Sequence, residues 1–414
     1  MGRRPISRME LLTIMNRDVS LFLLSRLFSM AGDSALTLAV GMWVRSLTGS
    51  SSMAGLAMAA AVAPQIVGLV FGSRLDLIPR KTGVLVSDLV SAIVLLALLL
   101  VHGPEDLWIV FLVLFVVGLL GVISGASTSG AIKVLCDDRS LPKVLSTLNG
   151  FSGLLSIVAP LAGAFLLVKV GIQGFTAVSS GLLLVGALAM LPTHVVSDLT
   201  SVPPGMGAGF RHILRTPELR SIVLGLGLVQ MVAGSIDGAM YALIDSLNRP
   251  SSFAGTLVAF QGVGMIVGAA VTAKLVQWFR PSSLIATCFV LVAGCLVGIC
   301  LATPSVPWVL SFIVIAGLLA SIIFTSAGYA VQTMTPEAVI GRVRAASNAI
   351  QSAPAVVSIV IGALVVAVAS FKILYVASAV ACAATTLFLV LDRIHAHRTS
   401  DPIALDGEDV TVPT

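Results

Sequence analysis

Charge is what this sequence has least of. Only 10% of its 414 residues are Asp, Glu, Lys or Arg, against roughly 25% in soluble globular domains. That excludes an ordinary water-soluble fold. Aromatic residues are also few, at 6%, which argues against a lipid-facing β-barrel with aromatic girdles and alternating ten-residue strands. The five cysteines, Cys136, Cys288, Cys295, Cys300 and Cys382, show neither paired nor metal-ligand spacing, and four of them lie inside apolar runs. They read as small packing residues, and no metal is expected. His102, His194, His212, His395 and His397 form no cluster with Asp in any loop, so an acid–base or metal centre of an enzyme has nothing to build on. A phosphate-binding Gly-rich loop ending in Lys and Ser/Thr is also missing, which leaves ATP without a site. No cofactor is expected.

Hydrophobicity is what the chain has in abundance, at 57%, with 38 glycines among the small residues that let helices pack closely. Apolar runs fall at about 19–44, 53–73, 84–101, 107–132, 145–168 and 172–192. Six more follow at about 219–243, 253–275, 283–302, 307–332, 345–369 and 371–391. Runs of about 18 or more apolar residues cross roughly 30 Å of hydrocarbon at 1.5 Å per residue. The expectation is an all-α membrane protein with twelve spans. Residues 1–18 form an N-terminal segment, 19–192 a first six-helix bundle, 193–218 a polar linker, 219–391 a second bundle and 392–414 an acidic, disordered tail. The linker contains Pro203-Pro204-Gly205 as a breaker and a piece, Phe210 to Leu214, suited to the membrane surface.

The net charge of +5 could suggest nucleic acid, but the basic residues lie in short loops and never form a stripe. Their sidedness has a better explanation. Most of the 24 Lys and Arg fall on the side of the termini and the linker, whereas the opposite loops hold Arg45, Lys169, Arg249 and Lys372, and Arg26 lies within a span. By the positive-inside rule both termini and the linker are cytoplasmic, in the cell (inner or plasma) membrane. The first 18 residues lack the short apolar core and cleavage site of a signal peptide, and Ile6 spoils a myristoylation match.

The halves resemble each other. Ser46-Leu47 and Ser51-Ser52-Met53-Ala54-Gly55 recur 200 residues later as Ser246-Leu247 and Ser251-Ser252-Phe253-Ala254-Gly255, and Asn149 and Gly163 recur as Asn348 and Gly362. Two six-span repeats in the same orientation are the arrangement of a transporter with its site between the halves.

Between the second and third runs, Gly72-Ser73-Arg74-Leu75-Asp76-Leu77-Ile78-Pro79-Arg80-Lys81 resembles the loop signature of the major facilitator superfamily, with Gly72, Asp76, Arg80 and Lys81 matching. Arg74 and Pro79 depart from it. The Arg17 to Asp33 segment and the linker's Phe210 to Arg220 are similar to the macrolide-efflux-like branch of its twelve-span drug/proton antiporters. The resemblance implies a major facilitator fold and a cytoplasmic gate at Gly72, Asp76, Arg80 and Lys81. Glycine permits close helix approach, an Asp pairs with amides at a helix N-terminus, and Arg80 can bond an opposing helix end. The alternative is that these charges only set topology. Pro160 and Gly163 match part of an antiporter kink signature in the fifth run, although a kink without directional meaning fits the same residues.

Asp33 is the leading proton-coupling candidate. It lies near the middle of the first span, where an ionised carboxylate costs several kcal/mol unless it is paired or faces water. Binding a proton or a cationic substrate removes that cost, which is the exchange an antiporter performs. A purely structural partnership with another helix is the alternative. Arg26, seven residues earlier, is about 10 Å away along the helix and acts on Asp33 only through its field. Asp237 in the seventh span is the second candidate, and Arg26, Gln65, Gln230 and Gln261 are the other polar cavity candidates.

These residues point to a monomeric secondary transporter, not an enzyme, embedded in the lipid bilayer, exchanging protons for amphipathic, cationic or neutral drug-like molecules. A dedicated exporter of a metabolite or siderophore is the close alternative. An uptake symporter, a membrane-embedded transferase and a non-transporting sensor or scaffold rank below it.

Overall fold

The computed structural model describes residues 8–66, 78–136, 141–195, 207–335 and 340–399. They form α-helices joined by short turns, as hydrocarbon requires of a backbone that must satisfy its own hydrogen bonds. In the first half these are α1 (Arg8–Thr48), α2 (Ser51–Val62), α3 (Arg80–Leu95), α4 (Leu107–Leu135) and α5 (Leu141–Met190). A short helix, α6 (Gly207–Arg215), precedes the second half: α7 (Pro217–Ser246), α8 (Phe253–Trp278), α9 (Pro281–Ala302), α10 (Val306–Thr333), α11 (Ile340–Val368) and α12 (Phe371–Thr399).

Ten of the described helices are long and apolar enough to cross a membrane, and Ser51–Ile66 is a shorter apolar helix. The 50 residues of α5 would run about 75 Å if straight, more than twice the hydrocarbon thickness. They fold back at a single residue, Gly171, whose φ of 68° and ψ of −172° lie outside helical space. Only glycine occupies that region without strain. So α5 supplies the fifth and sixth passes, and with α2 the chain makes twelve. Pro160 sits inside α5 without interrupting its helical dihedrals. Large apolar side chains such as Phe165, Leu188, Leu301 and Val380 point outward, where lipid would cover them.

The two halves repeat one packing scheme. In the first, α1 packs on α5, α2 on α4, and α3 on both α4 and α5; in the second, α7 packs on α11, α8 on α10, and α9 on both α10 and α12. Both opening passes also end alike, at a left-handed residue before a Ser-rich helix start: Gly49 (φ 68°) and Asn248 (φ 54°). Ser50 caps α2 by accepting the Met53 N–H at 3.3 Å.

The halves meet through α2 against α7 and α11, and through α5 against α8. The contacts gather at the end of the bundle remote from the termini. There Tyr241 donates to the Leu38 carbonyl at 3.1 Å and Ser52 donates to the Ala363 carbonyl at 2.7 Å. Leu38, Met42, Ala54 and Ala164 of the first half join the apolar core of the second. A Cβ on Gly55 would stand 2.6 Å from the Gly238 carbonyl and 2.9 Å from the Ala363 Cβ, so glycine is what lets α2 seat there.

Two element ends differ from the sequence expectation. Helix α1 begins at Arg8, not near 19, and α12 continues to Thr399, past Leu391. An apolar run ends where hydrocarbon ends, but the helix it belongs to does not have to. The Phe210 piece is helical, as its apolar spacing suggests. It packs on α7 and α11, burying Ile213 against Leu219, Val223 and Val343.

Candidate functional site

Asp33 and Gln65 come together. They line a cavity of about 380 Å³ between α1, the end of α2 and α4, whose walls include Leu36, Val62, Leu114 and Val122. Asp33 is half-buried and Gln65 exposed into this space. Among the described residues that line it, none is basic. Its chemistry is one carboxyl and one amide on an aliphatic wall, suited to an apolar ligand with a cationic or hydrogen-bonding group.

Arg26 is not among the residues that line this cavity. It is 4% exposed and forms an ion pair with Asp88 of α3, itself 2% exposed, at 2.5 Å. The guanidinium also donates to Ser124 at 2.8 Å and Thr128 at 3.3 Å on α4, and to Ser25 and Ser29 on its own helix. Ser29 donates to the same Asp88 oxygen at 2.6 Å. A guanidinium that cannot reach water must collect acceptors from neighbouring helices, and this one ties α1, α3 and α4 into one buried knot. Both charges act electrostatically on Asp33 two turns along α1. Sequence reasoning missed Asp88 as a partner, although it was the one charge in its apolar run. Two opposite charges in two spans were the available signal.

Asp237 is exposed on α7 and Gln230 half-buried. They share a helical face with Tyr241, four residues beyond Asp237, whose hydroxyl reaches the first half. That stripe therefore faces the space between the halves. Gln261 is exposed on α8 while its backbone packs on Gly317 of α10.

Of the loop signature, Gly72 and Asp76 lie outside the described residues. Lys81 donates to the carbonyls of Leu191 and Thr193, at 2.6 and 2.8 Å, closing the end of α5 in its own half. Beside it, Asp18 accepts the His194 N–H at 3.1 Å. Arg80 lies along Gly130 of α4, where a Cβ would come within 2.6 Å of its Nε. Gly163 lets α5 approach α1, since a Cβ there would meet the Ala35 carbonyl at 3.0 Å.

Twelve passes in two like-oriented halves, with polar side chains held between helices inside an apolar bundle, define a multi-pass membrane transporter. Residues 22–359 match the family described as Major Facilitator Superfamily. The chain belongs to that family. Among curated proteins it is 26% identical to the Enterobactin exporter EntS of Escherichia coli O157:H7 (strain EC4115 / EHEC), over 93% of this chain and 94% of that protein. The same identity holds against the Enterobactin exporter EntS of Escherichia coli O1:K1 / APEC, over 77% and 78%. Among solved structures, it superposes on a bacterial homologue of the iron transporter ferroportin in an inward-facing state with a TM-score of 0.69, at 16% identity, covering 91% of this chain and 98% of that one. These structural likenesses concern the fold alone.

Proposed function

We propose that this protein is a proton-coupled exporter of amphipathic small molecules, working by alternating access between its two halves in the cell membrane with both termini cytoplasmic. The observation that carries the reading is the Asp33 pocket: a carboxyl without a basic neighbour among the described lining residues, set in an aliphatic wall beside Gln65. Arg26, the cation nearest to it along α1, is committed to Asp88. Asp33 is then free to take up either a proton or a cationic substrate but not both, which is the exclusion antiport needs. Asp237 offers a second carboxyl from the opposite half. The cytoplasmic gate at Gly72, Asp76, Arg80 and Lys81, the helix-kink motif of Pro160 and Gly163, and a monomeric state belong to the same proposal.

A second reading is a dedicated siderophore exporter. The curated relatives, alike over 77–93% of the chain, favour it. One experiment separates the two. Inside-out vesicles energised by respiration are challenged with lipophilic cations and with a neutral catecholate siderophore, for the wild type and Asp33→Asn. Collapse of the pH gradient by lipophilic cations in wild type alone supports the proposal. A response to the catecholate only moves the cargo to the second reading, and transport unchanged in Asp33→Asn refutes Asp33 as the proton site.

A further inference from the structure

The 200-residue offset that aligns Ser46-Leu47 with Ser246-Leu247 also aligns Arg45 with Asp245. These two counterparts touch: Arg45 Nη2 lies 2.7 Å from Asp245 Oδ1. The other carboxylate oxygen of Asp245 accepts a hydrogen bond from Ser51, at the start of α2. A residue can meet its own counterpart only on the axis that relates the repeats. The pair therefore marks that axis at the end of the bundle where the halves are closed on each other.

The surroundings repeat the symmetry. Two cavities of about 420 and 380 Å³ flank the seal. One is lined by Ser50, Ser51 and Asp245 with Phe371, and the other by Ser251, Ser252 and Ser46 with Gly171. Side chains 23% and 40% exposed keep the pair in reach of water, so it can open without stranding two charges in hydrocarbon. It stands twelve residues from Asp33 on α1, an arm of about 18 Å, so rocking about the midplane separates it widely.

We propose that Arg45 and Asp245 form the outer gate of this transporter, with Ser51 fixing the carboxylate in the closed position. The inference rests on the alternating-access reading above. Its test reads a distance without substrate or pH gradient, so it can fail independently of proton coupling.

Spin labels at Glu105→Cys and Pro307→Cys, exposed positions in the two halves at the same end, report the opening in lipid nanodiscs, with half-exposed Cys136 replaced by Ala. Arg45→Ala and Asp245→Asn each raise the population of the long distance roughly two- to fivefold, the range such an ion pair supports. Ser51→Ala, the mildest change, shifts it less in the same direction. The exchanged pair Arg45→Asp with Asp245→Arg restores the wild-type distribution. Distributions unchanged in all single variants, or an exchanged pair as open as the singles, overturn the gate.

Discussion

Removing one member of the Arg26–Asp88 pair should destabilise the first half far more than removing both. In Asp88→Leu the Arg26 guanidinium, 4% exposed, keeps only the hydroxyls of Ser25, Ser29, Ser124 and Thr128. In Arg26→Met the Asp88 carboxylate keeps, among the described residues, only Ser29. Stranding a buried charge costs about 3–5 kcal/mol, whereas replacing a whole buried pair by apolar side chains of similar volume is often neutral or stabilising. Of the four hydroxyl groups that lose their ionic partner, Ser29 keeps a bond to the Ser25 carbonyl, and the other three take back part of that gain, at about 1 kcal/mol each. The double variant should therefore lie within about 2 kcal/mol of wild type, giving a coupling energy of several kcal/mol. Reversible unfolding by SDS in mixed micelles measures all four proteins of the cycle. Single effects that simply add in the double variant would falsify the pairing. Under the proposed coupling through Asp33 the same four proteins carry a second readout: the double variant should fold yet respond differently to an imposed pH gradient.

Two further outcomes follow from the packing. Gly171→Ala has open space around it, since no atom lies within 4 Å of an added Cβ, so its cost is backbone strain alone, about 1–3 kcal/mol, and the same unfolding assay should show it. Gly55→Leu collides with the Gly238 carbonyl and the Ala363 Cβ; the side chain should prop the remote end open, and spin labels at Glu105→Cys and Pro307→Cys should show more of the long distance than in the parent. An unchanged distance distribution would mean that the α2 seat is dispensable for closure.

The number of passes was legible because hydrocarbon thickness sets a minimum run length, and the repeat was legible because short segments such as Ser51-Ser52 and Ser251-Ser252 survive in both halves. What sequence periodicity does not contain is which helix neighbours which. Asp33 and Gln65 sit 32 positions apart on separate runs, and only the packing of α2 and α4 beside α1 brings them to one cavity. The partner of Arg26 was hidden for the same reason: helix arithmetic compares it with Asp33 on its own helix and is silent about Asp88 on α3. The fold-back at Gly171 was also hidden. A single residue outside helical space joins two passes, and one glycine among 38 carries no mark of its conformation.

The contact between Arg45 and Asp245 bears on how such a chain can arise. On a true two-fold axis every position faces its own copy, so a pair of separate identical halves would set Arg against Arg or Asp against Asp there, and like charges would push the mouth apart. Attraction between a position and its counterpart requires the two copies to differ. Each copy can diverge at that position without altering the other only once the two are separately encoded, so duplication of the half is the step that makes this contact possible.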